Sequence, residues 1–261
     1  MDKFFKIILL FFSKLLITAQ IAQNALVIQY ESKLMGNQMN ATLVGTSDRT
    51  VFFYFNSNED AKDNVFKNTK ININPYYLFI YENQPGVIYK SFSFASIDYL
   101  KKGGMTVDKY PKMVWKLTNE TKTILGYKCQ MANTSFRGRD YDVWFTTEIP
   151  GNYFPWKFEG LPGAILSFSD KEQLFTTKAI SVTQNKNPSV EFEERINKYV
   201  SKYKGSAMEY KKDVENEDKW LQERRNERRA SLPLGTNVIE SPLRELDIEK
   251  EFEWETEPKK P

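Results

Sequence analysis

The sequence predicts a mainly β, α+β fold: a curved antiparallel sheet or half-barrel followed by a carboxyl-terminal helical appendage. Three observations carry that prediction. Short β-branched and aromatic runs recur between clusters of Ser, Asn, Asp and Gly from Leu26 to Val182. Several of these runs alternate apolar with polar residues, the period of a sheet with one wet face. Beyond about residue 190 the chain turns to charged, helix-forming residues with sparse apolar positions.

Taken in order, residues 1–19 read as a signal peptide, with cleavage after Ala19 or as late as Ala22. Lys3 and Lys6 precede the apolar run Ile7 to Phe12, and the run resumes after Lys14 before ending in small residues. Lys14 leaves it short of the ~20 apolar residues of a membrane span. Export to the periplasm, the outer-membrane surface or the medium is therefore expected. The antiparallel β domain is expected over 25–185. Leu26 to Tyr30 and Thr50 to Phe55 open it, and Tyr76 to Tyr81 pairs with Val87 to Phe92 across Glu82 to Gly86, where Pro85 and Gly86 supply the turn. Met113 to Leu117 leads into an arm from Lys122 to Met131, in which Gly126 predicts a bulge or a close backbone approach. Arg137-Gly138-Arg139 turns the chain into the alternation Tyr141, Val143, Phe145, and Ala164 to Phe168 and Phe175 to Val182 complete a meander. A helical pair is expected over 190–230, broken near Gly205-Ser206, and an acidic, poorly ordered tail over 231–261.

Composition narrows the chemistry. The 261 residues include no His and one Cys. That excludes Ser-His-Asp and Cys-His sites, His-containing metal sites, an intramolecular disulfide and a Cys-rich metal centre. No cofactor and no metal are expected. The formal charge of +3 belongs mostly to the leader: cutting after Ala19 removes three Lys and one Asp and leaves +1. A strongly basic nucleic-acid binder is not supported. Between Lys211 and Arg229, seven basic and six acidic residues read as a solvated helix covering one edge or face of the sheet. The pairs Arg224-Arg225 and Arg228-Arg229 leave room for peripheral contact with a membrane or a polyanion.

The densest signal lies between Lys122 and Asp170. Pro155-Trp156-Lys157-Phe158-Glu159-Gly160-Leu161-Pro162-Gly163 packs two Pro, two aromatics and two Gly into nine residues, a stiff segment with Gly expected at positive φ. It reads as a rigid corner in which Trp156 and Phe158 plug the sheet, or as a binding lip that exposes them beside Lys157. Trp144, Arg137 and Arg139 join Trp156, Lys157 and Phe158 as candidate ligand-binding residues. Glu148, Glu159 and Asp170 flank the segment as candidate catalytic carboxylates, since paired carboxylates can cleave glycosidic bonds. Asp140 and Asp142 share one sheet face and read as solvated strand positions. Cys129 alternates with Tyr127 and Met131 and reads as a small buried hydrophobe.

Gly126, Cys129, Arg137-Gly138-Arg139, Trp144-Phe145-Thr146, Glu148-Ile149-Pro150, Pro155, Gly160, Leu161, Pro162 and Gly163 resemble, in order and spacing, the motifs of the GLPGLI family, with Ala164 where that family's name has Leu. That resemblance implies a secreted or envelope protein of Bacteroidetes-type bacteria with a β-rich fold and no established activity. More distantly, the chain looks similar to the amino-terminal bowl-like domain attached to some bacterial peptide:N-glycosidases. With 19 Phe, 14 Tyr and 5 Trp, the chain holds more rings than its core is expected to hide. The favoured reading is a non-catalytic binding or accessory module, offering an apolar, aromatic concavity to an envelope protein, lipid, peptide or glycan. The alternative is a carbohydrate-processing or other hydrolytic enzyme using the carboxylates near the Gly-Leu-Pro-Gly segment.

Overall fold

Alternating side chains decide how the sheet is covered. In β1 (Leu26–Leu34), Leu26, Ile28 and Tyr30 join one apolar cluster, and Val27 joins another on the opposite face. A computed structural model describes residues 25–56, 65, 78–91, 104–233 and 235–256. The expected leader lies outside the described residues, as do Tyr76, Tyr77 and Phe92 of the expected hairpin.

Twelve further strands follow among the described residues: β2 (Asn37–Gly45), β3 (Thr50–Asn56), β4 (Leu78–Tyr81), β5 (Val87–Ser91), β6 (Met105–Lys109), β7 (Lys116–Ile124), β8 (Tyr127–Phe136), β9 (Arg139–Thr146), β10 (Asn152–Tyr153), β11 (Gly163–Asp170), β12 (Phe175–Gln184) and β13 (Met208–Glu209). They form one unclosed sheet in the order β13-β6-β5-β4-β3-β2-β1-β12-β11-β9-β8-β7, with β10 beside β11. Pairing is antiparallel except for β10 with β11 and β13 with β6. Register shifts at Gln29/Tyr30 and Ile165/Ser167 mark bulges, which bend strands and deepen the twist. At the free edge, β7 is exposed along nearly its whole length and buries only Ile124.

The inner face carries the main core, in which Tyr30 and Phe52 from one half of the sheet meet Tyr141, Phe158 and Phe168 from the other. Because both halves contribute to one cluster, the sheet curls around it. Phe158 stands edge-on to Phe168 at 4.8 Å and to Trp156 at 5.0 Å between ring centroids, a favoured geometry for aromatic pairs. The outer face buries Val27, Val44, Val51, Phe53, Ile80 and Met105 under α1 (Val190–Tyr203), which contributes Phe192 and Ile196. Ser189 caps α1 by accepting a hydrogen bond from the Phe192 amide, and Glu191 and Glu193 in the first turn complement the helix dipole. A 3-10 turn at Lys204–Ser206 separates α1 from β13 and from α2 (Tyr210–Ala230), which lies against β6.

One expectation is corrected here. Gly126 does not mark a bulge: Leu125 and Gly126 both have positive φ, 51° and 86°, and form a two-residue turn between β7 and β8. The same pattern at Met35-Gly36 closes the β1–β2 hairpin. Residues 241–256 form a strap across the inner face, burying Glu249 and Phe252, because its carboxylates meet cations that the sheet has already buried.

Candidate functional site

Curling the sheet under α2 and the strap leaves a groove of about 600 Å³. Tyr54, Phe79 and Phe175 line it from the sheet, Trp220 and Arg225 from α2, and Arg244 to Glu249 from the strap. Lys90 also reaches it, with its ammonium 4.0 Å from the centroid of the Tyr210 ring. Mixed rings and charged groups in one concavity are the usual make-up of a small-ligand site. Asp247 stands in this wall half-buried, and burial raises the pKa of its carboxyl, with Arg244 opposing and Asp218 adding to the shift.

Beside the groove lies a buried ionic cluster. Lys157 is completely buried, and its Nζ stands 2.5 Å from Asp108 Oδ2 and 2.6 Å from Glu249 Oε1. Arg137 meets the same two acids at 2.7 and 2.6 Å and reaches Glu253 at 2.7 Å. Tyr210 donates its hydroxyl to Glu249 at 2.7 Å. Burial opposes the Glu249 charge, but Lys157 and Arg137 overcome it and hold the carboxyl at about 2. Burial pulls Lys157 down against Asp108 and Glu249, and three carboxylate oxygens within hydrogen-bond reach favour its ammonium form. Arg139, also buried, pairs with Asp170 at 3.0 Å and with Glu172 at 2.6 Å.

The sequence candidates therefore fall into separate places. Arg137 and Lys157 come together in the cluster. Trp156 and Phe158 are 2% and 0% exposed, so they plug the inner core and form no exposed lip. Trp144 is half-buried on β9, with the Lys122 ammonium 4.0 Å from its ring centroid. Glu159 accepts hydrogen bonds from the Gly86 amide at 2.8 Å and from the hydroxyls of Tyr81 and Tyr110 at 3.1 and 3.2 Å. Burial, then Glu159 itself, pushes the Tyr81 hydroxyl up to about 12. Glu148 accepts from the Lys128 amide, and Asp170 holds Arg139 and the Phe175 amide. Each of the three carboxylates thus anchors its own set of partners. Asp142 is paired with Lys171, and Asp140 accepts from Ser135. Cys129 is buried, and burial pushes its thiol up to about 11. Gly160 and Gly163 have φ of 106° and 86°, and a Cβ on Gly163 would sit 2.0 Å from the Thr146 carbonyl oxygen.

Sequence reasoning missed Asp108, Tyr210, Asp247 and Glu249. They come from distant parts of the chain, and only the alternation of Leu246, Ile248, Phe252 and Trp254 with acids hinted at a packed strap. On α2, Arg225 donates to the Pro242 carbonyl, Arg229 pairs with Glu240 and Arg224 with Glu227. Among the described residues, no helix is long and apolar enough to cross a membrane, and no group of three or more His, Cys, Asp or Glu is placed to hold a metal ion.

Comparison with known proteins adds a family. The family model described as "N-glycanase peptide, N-terminal domain" matches residues 37–203 and ends before α2 and the strap. No curated protein matches. Two solved structures of PNGF-II, in P21 and C2 space groups, are 22% and 21% identical, with TM-scores of 0.45 and 0.44. They cover 62% and 67% of this chain, which spans only 29% and 33% of theirs. An uncharacterized conserved protein from Thermus thermophilus is 8% identical, with a TM-score of 0.36, over 68% of this chain and 88% of its own. The family match corrects two expectations from the sequence. The matching family is the N-glycanase one, so the GLPGLI assignment is set aside. With it goes the favoured reading of a non-catalytic envelope binding module, and the carbohydrate-processing alternative fits better. A glycan, one of the partner classes expected, accords with this family.

Proposed function

The chain belongs to the family described as the N-terminal domain of N-glycanase peptide, and on that premise we propose that it is a glycan-processing protein, hydrolytic in its chemistry and acting on protein-linked glycans. The observation that carries this reading is the family match over residues 37–203. The groove supports it. A sugar ring presents C–H faces that lie on aromatic rings and hydroxyls that bond to charged groups, and Trp220, Tyr54 and Phe79 line that concavity together with Lys90, Arg225 and Asp247. The leader at 1–19 would direct the work to the periplasm, the outer-membrane surface or the medium.

Incubating the full chain with native and denatured N-glycosylated protein tests the proposal, with released glycan read by mass spectrometry. Release is expected, slowed by Trp220→Ala or Lys90→Ala. No release from any glycoprotein form, with the sheet folded by circular dichroism, would sink it.

A further inference from the structure

We propose that the cationic floor of the inner face is a binding site for an acidic peptide segment, occupied in this structure by the chain's own strap, which turns at 243–246 before it reaches the floor. This goes beyond the glycan-processing reading and does not depend on it.

Much of the recognition is of backbone. Arg139 donates to the carbonyls of Asp247 and Glu245 at 2.7 and 2.9 Å, and the Tyr141 hydroxyl donates to the Ile248 carbonyl at 2.8 Å. The Lys250 amide donates to the Arg137 carbonyl at 2.8 Å. Such contacts read main chain rather than side chain, as in peptide-binding sites that take affinity from the backbone and specificity from pockets. The pockets here are chemical. Glu249 fills a socket made by Lys157, Arg137 and Tyr210, Ile248 packs on the core, and Phe252 stands edge-on to Tyr210 at 5.9 Å between ring centroids with the Arg137 guanidinium 4.9 Å from its own ring centroid. A partner is therefore recognised as apolar-Glu followed three residues later by an aromatic.

The strap is also attached as a ligand would be. The residues described between 231 and 242 are all exposed, and Ile239 is 95% exposed, so the loop from α2 contributes little packing. A short tether gives its ligand an effective concentration in the millimolar range, enough to mask the site from free peptide.

The test places a protease site in the loop at 235–240 of the full chain and cleaves the folded protein. A fluorescent peptide of residues 241–256 is then titrated by anisotropy. The cleaved protein should exchange its own fragment for the labelled peptide and bind it about a hundredfold more tightly than the uncleaved chain does, while the E249K peptide fails to bind. Three results would overturn the proposal: no exchange with the sheet intact, loss of the sheet on cleavage, or equal binding of the E249K peptide. None of these readouts involves glycan release, so failure here leaves the glycan-processing reading standing, and the reverse also holds.

Discussion

Replacing Glu249 with Gln keeps shape and size and removes one buried negative charge. Asp108 and Glu249 balance Arg137 and Lys157, and all four side chains are at most 3% exposed. After Glu249→Gln, two cations face one buried acid, with only the half-exposed Glu253 at the rim. Breaking a buried pair in this way costs about 3–5 kcal/mol. The loss should appear first as opening of the strap, because the Lys250 and Glu251 amides donate to the Arg137 carbonyl beside the removed charge. At about 1.4 kcal/mol per decade, amide hydrogen exchange at Lys250 and Glu251 should rise by roughly two to three and a half orders of magnitude. Adding Lys157→Met returns the buried charges to balance, one against one, so the double variant should lose less than the two single losses combined. Unchanged exchange at Lys250, or equal acceleration in β1 and β8, would refute the reasoning.

Three further outcomes are expected. Glu249 is held below its ordinary value, so its contribution is complete above pH about 4.5 and is lost as the pH falls through about 2. Trp254 fluorescence should report strap release in that window, and an unchanged signal down to pH 2 would count against the cluster. Asp247 has the opposite sign: its folded pKa is raised, so ionising it weakens the fold, and Asp247→Asn should flatten the loss of stability as pH rises past that pKa, measured by urea midpoints. Gly163→Ala should abolish folding or cost more than about 4 kcal/mol, since its Cβ would collide with the Thr146 carbonyl, whereas Gly126→Ala meets nothing within 4 Å and should cost about 1–2 kcal/mol of left-handed strain in chemical denaturation.

Much of the sheet was legible because alternation is a local signal. Tyr141, Val143 and Phe145 declare their face within five residues, and β9 forms as that pattern requires. Turns were less legible, since Leu125-Gly126 needs a leucine in the left-handed region, a conformation that Leu rarely adopts and that the hairpin imposes. The ionic cluster was illegible for a different reason. Arg137 and Lys157 could be singled out by their motifs, but their partners Asp108 and Glu249 lie 29 and 92 residues away from them, and only the curl of the sheet brings them together. The strap reads as a loose tail because its acids look solvated, and their buried counter-charges belong to another part of the chain.

An open sheet must end somewhere, and an unpaired strand can recruit a neighbouring molecule. In β7, Lys116, Asn119, Glu120 and Lys122 occupy exposed positions, while the opposite edge is the two-residue β13, with α2 beside it. The half-barrel therefore leaves its seam open without offering a template for growth. A β7 rewritten in Val and Ile would leave the fold nearly unchanged and convert the molecule into one that stacks.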